Sequence, residues 1–129
     1  MTRTVEQLVT EARARIREVS PTDLSSMSQG GVVLIDVREP GEYAQGHLPG
    51  AVNIPRGVLE FQIHAHPAMA CVAEESLANT SRRLVLYCRT GGRSALAADS
   101  LQELGFTDVL SLAGGFEAWR NANPAIPTE

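Results

Sequence analysis

The chemistry this chain offers is concentrated in seven residues, Cys88-Arg89-Thr90-Gly91-Gly92-Arg93-Ser94. A thiol follows the apolar run Leu84 to Tyr87, two glycines turn the chain, and a helical pattern opens at Ser94. Paired glycines allow tight backbone conformations that turn N–H groups inward. A ring of inward amides backed by a helix N-terminus is an anion site. The same field favours a thiolate, because cysteines at helix N-termini or beside arginine titrate low. The loop thus pairs a candidate nucleophile, Cys88, with a candidate cradle for negative charge in Arg89, Thr90, Gly91, Gly92 and Arg93. Without those neighbours, a cysteine at a strand end would read as an inert core residue.

Charge is distributed to match. All 11 basic residues are Arg, which excludes Schiff-base lysine chemistry and the phosphate-loop lysine. The net charge of −4 argues against a nucleic-acid binder, which needs a basic face. Between Glu75 and Asp99 lie four Arg (Arg82, Arg83, Arg89, Arg93) and no acid, so this segment is +4 and the remainder −8. Two widely spaced cysteines, Cys71 and Cys88, make neither a disulfide framework nor a four-ligand zinc site. No apolar run suits a signal peptide or approaches the roughly 20 residues of a membrane span. A reducing, cytoplasmic setting with free thiols is expected.

The elements that must hold the loop follow from periodicity. Val5, Leu8, Val9, Ala12 and Ile16 have helical spacing over residues 4–17. Ser20-Pro21 breaks that helix, and Thr22-Asp23 are candidate caps for a second one ending near Met27. Val32 to Ile35 and Leu84 to Tyr87 are continuous apolar runs, the pattern of strands buried on both faces of a parallel sheet. Shorter strands are predicted at Ala51 to Ile54 and Val109-Leu110, with a helical turn over Pro40 to Ala44. Ser94 to Leu104 is predicted as an amphipathic helix with Leu96, Ala97, Leu101 and Leu104 on one stripe, capped by Gly105. Phe116 to Asn121 is the last helix, and residues 58–80 are mixed. The alternation defines an α/β domain with a mainly parallel sheet, whose ligands bind beyond the carboxyl ends of the strands. Residues 1–19 are expected to form a helical extension packed on a domain of residues 20–129.

Three separated segments resemble the rhodanese family of sulfurtransferases. The first runs from Asp36-Val37-Arg38-Glu39 through Glu42-Tyr43 and Gly46-His47-Leu48-Pro49-Gly50 to Pro55. The second is the Cys88 loop, and the third is Leu112-Ala113-Gly114-Gly115-Phe116-Glu117-Ala118-Trp119. The resemblance covers roughly Ser20 to Ala122 and implies a three-layer α/β/α rhodanese-like domain. It implies that Cys88 attacks the outer sulfur of thiosulfate or a similar donor, forms a persulfide, and passes the sulfur to a thiol or cyanide. Loop amides from Arg89 to Arg93 would cradle the persulfide, and Arg89 and Arg93 would hold the anionic donor. No metal or organic cofactor is implied, because the thiol is the carrier.

Two other readings use the same residues. A persulfide carrier or regulatory module for one partner would keep Cys88 without general turnover. A cysteine-dependent phosphatase or arsenate reductase would need five residues between Cys and the oxyanion-gripping Arg; here there are four, and Ser94 stands where that Arg would be. Among the remaining residues, Arg38 and Glu42 are spaced for a local ion pair. Asp36 either anchors neighbouring loops or borders the site. His47 reads as a loop-fixing residue, His64-Ala65-His66 as a surface or pocket-rim pair rather than a metal pair, and Cys71 as a packed or bystander thiol. Phe116 and Trp119 are spaced to pack one helix face into the core.

Overall fold

The computed structural model describes residues 2–27, 31–63 and 82–124. The readings of His64, His66 and Cys71, and most of the mixed segment, fall outside these residues. Five strands are described: β1 (Arg17–Val19), β2 (Val33–Asp36), β3 (Val52–Asn53), β4 (Leu84–Tyr87) and β5 (Val109–Leu112). The helices are α1 (Val5–Arg15), α2 (Pro21–Met27), α3 (Pro40–Ala44), α4 (Leu59–Gln62), α5 (Gly92–Glu103) and α6 (Gly115–Ala122), with a 3₁₀ turn at Arg56–Val58.

All strand pairs are parallel, in the order β1-β5-β4-β2-β3. Strand β4 is central because it is apolar throughout: Leu84, Val85, Leu86 and Tyr87 are each 0% exposed. Successive side chains of a strand point to opposite faces. Leu84 and Leu86 therefore join Ile35, Leu59, Ala97 and Leu101 in one core. Val85 and Tyr87 join Leu24, Leu112, Phe116 and Trp119 in the other. The result is the expected three-layer sandwich, with α5 on one face and α2 and α6 on the other.

Several predicted elements shift. The first helix ends at Arg15 rather than 17, and Arg17–Val19 instead extends the sheet as an edge strand on Leu110–Leu112. Ser20, not Thr22 or Asp23, caps α2 by accepting from the Asp23 N–H at 3.1 Å, with Pro21 in the first turn. Leu104 is 45% exposed and off the core stripe, because α5 stops at Glu103 and Gly105 turns the chain at φ +103°. Phe106, 2% exposed, takes that place in the core. No described helix is long and apolar enough to cross a membrane.

Helix α3 leaves β2 toward the face where Tyr43 packs against the core that holds Tyr87, Phe116 and Trp119, whereas α5 leaves β4 toward the opposite face. Adjacent parallel strands whose following helices diverge open a crevice at their carboxyl ends. Cys88 sits beside that crevice.

Candidate active site

Cys88 directly follows β4 and is 2% exposed. The Gly91 N–H donates to Cys88 Sγ at 3.1 Å. Gly91 makes this possible through its left-handed φ of +113°, which bends the loop back over the sulfur. Helix α5 starts at the next residue, Gly92. Below the sulfur lie two buried hydroxyls: Cys88 Sγ is 3.8 Å from Ser94 Oγ, which is 2.8 Å from Ser111 Oγ. Ser94 directs its single proton at Gly91 O, at 3.2 Å, so it accepts from Ser111. The loop is thereby braced from its own helix and from β5.

The other brace comes from α6. The Phe116 N–H donates to Cys88 O at 2.8 Å and the Glu117 N–H to Arg89 O at 3.1 Å. Both loop carbonyls are thus tied to the start of the last helix. The approach is so close that a Cβ on Gly115 would stand 2.5 Å from Cys88 O, at a residue whose φ is +64°. The Gly114-Gly115 pair, part of the third family-like segment, belongs to the scaffold that fixes the cysteine.

The two loop arginines have carboxylate partners. Arg93 donates to both oxygens of Glu42 at 2.9 and 3.1 Å. That contact holds Glu42 down from 4.5 to about 2, and holds the Arg93 guanidinium above its ordinary value, with the nearby Cys88 adding in the same direction. Arg89 reaches Glu117 at 2.7 Å on the exposed rim. In place of the local Arg38–Glu42 pair suggested by spacing, Glu42 turns to Arg93 and Arg38 chelates Asp36. Asp36 is fully buried and accepts from the Arg38 N–H at 2.8 Å and from its guanidinium at 2.8 to 3.1 Å. Arg38 also donates to Gly46 O at 2.7 Å and lies over the Phe116 ring at 4.4 Å. Asp36 therefore anchors the 46–50 turn, and it does not line the cavity above Cys88. His47 fixes the same turn, with Nδ1 3.0 Å from Tyr43 O and its ring stacked on Tyr43.

A cavity of about 490 Å³ opens above the sulfur. Cys88, Arg89, Thr90, Gly92 and Arg93 form one side of it, and Val5, Val9 and Arg13 of α1 face them. Sequence reasoning missed this second wall, and it missed Ser111, Glu42 and Glu117. Ser111 carries a signal, being the one polar residue in the buried strand Val109–Leu112. The partners of Arg89 and Arg93 carry none, since they are 28 and 51 residues distant in the chain.

A buried cysteine at the end of a central parallel strand, bonded by a loop amide, places a thiol at the carboxyl edge of the sheet, where α/β domains bind their ligands. The chain belongs to the rhodanese family: the rhodanese-like domain model matches residues 20–122. The thiosulfate sulfurtransferase GlpE of Pseudomonas fluorescens is 31% identical over 112 residues, which is 87% of this chain and 92% of that protein. A human single-domain sulfurtransferase superposes with a TM-score of 0.69 at 32% identity, covering 81% of this chain and 95% of its own. A Rhodopseudomonas palustris protein of unknown function, described as a possible tyrosine phosphatase, superposes with a TM-score of 0.80 at 34% identity. That match covers 100% of this chain and 96% of the other. The family match leaves α1 and β1 outside its bounds.

Proposed function

We propose that this chain is a thiosulfate sulfurtransferase working through a persulfide on Cys88. The Gly91 N–H on Cys88 Sγ, at the floor of an open cavity, is the observation that carries the reading. The Cys88 thiolate attacks the outer sulfur of thiosulfate. The sulfur–sulfur bond of the donor breaks, and its electron pair leaves with sulfite. The persulfide anion, Cys88–S–S⁻, keeps the charge and lies beside the loop amide and Arg93. A thiol or cyanide then attacks the outer sulfur and regenerates the thiolate. Arg93 would steady the anionic donor within the cavity, and Arg89 would act from its rim. A reducing, cytoplasmic setting suits a mechanism that starts from a free thiol.

The name of the Rhodopseudomonas palustris neighbour favours a second reading, phosphoester hydrolysis. The loop argues against it. Four residues separate Cys88 from Arg93, and Ser94, where a longer loop would place its arginine, is buried against Ser111. An intact mass after incubation with thiosulfate decides between them. We expect a gain of about 32 Da, one sulfur, that is lost on adding cyanide and absent in Cys88→Ala. Hydrolysis of aryl phosphates with no sulfur uptake would replace this reading with the phosphatase. Sulfur uptake with slow release to every small thiol and to cyanide would make the protein a carrier for one partner.

A further inference from the structure

Two hydroxyls lie where packing alone has no need of them. Ser94 and Ser111 are both fully buried. The other buried residues of α5 are Ala95, Ala97, Ala98 and Leu101, and the rest of β5 is Val109, Leu110 and Leu112. Alanine would fill either position without the oxygen, and a buried hydroxyl costs free energy unless it finds a partner. Val109 and Ser111, two apart on β5, point to the same face of the sheet, the one that α5 covers. The two serines therefore meet beside Cys88, and their hydrogen bonds converge on its sulfur.

Each proton of this group can be followed. A serine hydroxyl has one proton and two lone pairs, and its proton rotates to suit its surroundings. With Cys88 as a thiol, the Ser94 proton goes to Gly91 O at 3.2 Å. The Ser94 lone pairs receive the Ser111 hydroxyl at 2.8 Å and the Cys88 thiol at 3.8 Å. Gly91 O does not depend on Ser94, because the Ala95 N–H also donates to it, at 3.0 Å. When Cys88 loses its proton, a Ser94 lone pair is left facing a sulfur anion. Turning the Ser94 proton from Gly91 O to Sγ exchanges a redundant bond for a charge-assisted one, which is roughly twice as strong. Gly91 O keeps the Ala95 N–H, and Ser111 still donates to Ser94. The thiolate then has two donors, the Gly91 N–H and the Ser94 hydroxyl.

We propose that Ser94 is a catalytic residue whose hydroxyl turns from Gly91 O to Cys88 Sγ whenever that sulfur carries charge, with Ser111 as the residue that positions and polarises it. Its effect on the reaction cycle rests on the sulfurtransferase reading above; its bond to the thiolate does not. That effect falls on one half of the cycle. In the persulfide the charge sits on the outer sulfur and Sγ is a neutral sulfide, so the Ser94 bond is weak. When cyanide attacks the outer sulfur, a carbon–sulfur bond forms and the sulfur–sulfur bond breaks. Its electron pair returns to Sγ, giving thiocyanate and the Cys88 thiolate. Ser94 stabilises that departing thiolate and speeds discharge. In loading, the thiolate is the nucleophile. The hydrogen bond makes it more abundant and less nucleophilic, and the two effects oppose each other.

Two measurements test it in the full chain. The first separates the half-reactions in single turnovers: loading from thiosulfate, read by intact mass, and discharge to cyanide, read as thiocyanate. Ser94→Ala should slow discharge about fivefold and leave loading within about twofold. Ser111→Ala should slow discharge about twofold, since it removes the donor behind Ser94. Ser100→Ala, on the same helix at a hydroxyl that bonds Glu60, should alter neither. The second is the pH profile of Cys88 alkylation by iodoacetamide from about pH 5 to 10, read by peptide mass. Ser94→Ala should move the rising limb to higher pH and reach a plateau no lower than that of the wild type, because its thiolate is rarer but less shielded. A loosened loop would instead slow both half-reactions alike and scale the alkylation rate by one factor at every pH. Either of those patterns, or a Ser94→Ala protein that matches the wild type in both measurements, overturns the proposal. If Ser94→Ala does not fold, Ser111→Ala carries both tests with the same signs. A wild type that takes up no sulfur overturns the sulfurtransferase reading, and the alkylation profile still decides whether Ser94 bonds the thiolate.

Discussion

Gly115 shows how narrowly the reactive cysteine is held. Its Cβ position is 2.5 Å from Cys88 O and 2.6 Å from Arg89 O, and its φ is +64°. Both obstacles are backbone atoms already fixed by the Phe116 and Glu117 N–H groups, so neither can move without loosening the cysteine. Gly115→Ala should therefore cost at least about 2 kcal/mol, combining the left-handed penalty with overlap. It should also slow sulfur transfer, because the loop must shift to admit the methyl group. Gly41 is the control: a Cβ there meets nothing within 4 Å, and the residue lies inside α3. Gly41→Ala should stabilise the protein by about 0.5 kcal/mol. Urea denaturation of the two variants checks both values, and a Gly115→Ala protein as stable as wild type would mean that the loop is not braced by α6. The buried Asp36–Arg38 pair belongs to the same scale. It holds a turn beside the site, one of the two roles that sequence spacing left open for Asp36.

Helices α3 and α5 leave neighbouring strands toward opposite faces, and Glu42–Arg93 is the ion pair that ties them across the crevice. Arg93 lowers Glu42 from 4.5 to about 2. Between those values the unfolded chain binds a proton at Glu42 that the folded chain does not. The pair's contribution is therefore complete above about pH 4.5, is lost as pH falls toward 2, and does not vary near neutrality. Both side chains are more than a third exposed, so screening reduces it to about 1 kcal/mol. Glu42→Gln should remove this part of the acid dependence of stability, measured by urea denaturation from pH 5 to the lowest pH at which the protein stays folded. The pair also explains why the elements were legible in sequence while their ties were not. The two long apolar strands, α3 and α5 follow from local pattern, and the Cys88 loop from its composition. The +4 segment reads in sequence as a basic island, yet Arg93 meets Glu42, Arg89 meets Glu117 and Arg83 meets Asp108. Folding pairs three of the island's four arginines with carboxylates from the acidic remainder, which no window of local sequence contains. Arg13 escaped notice for the same reason: it is one charge in a helix whose visible pattern is the core-facing stripe ending at Ala12 and Ile16.

At the scale of the whole molecule, one sheet separates two cores that share its strands. Leu86 points into the core with Ala97 and Leu101, while its neighbours Val85 and Tyr87 point into the core with Phe116 and Trp119. A strand cannot lose one face and keep the other, because the same backbone hydrogen bonds hold both. Sequence periodicity shows strands buried on both faces but not their order, which depends on crossovers between distant segments. The order β1-β5-β4-β2-β3 places β4 at the centre, where both cores and the reactive loop meet. Stability should therefore be a property of the entire domain, with a single unfolding transition typical of chains this short. Trp119 is the only tryptophan and belongs to the core that Leu86 does not enter, so it reports on the far side of the sheet. Leu86→Ala should cost about 2 to 5 kcal/mol by opening a cavity at a residue with no exposed surface. The Trp119 fluorescence midpoint and the far-ultraviolet circular dichroism midpoint should then move together to lower urea. A Trp119 transition that stayed at its wild-type midpoint while the dichroism transition moved would show two independent halves, and would break the argument that the central strand binds them into one unit.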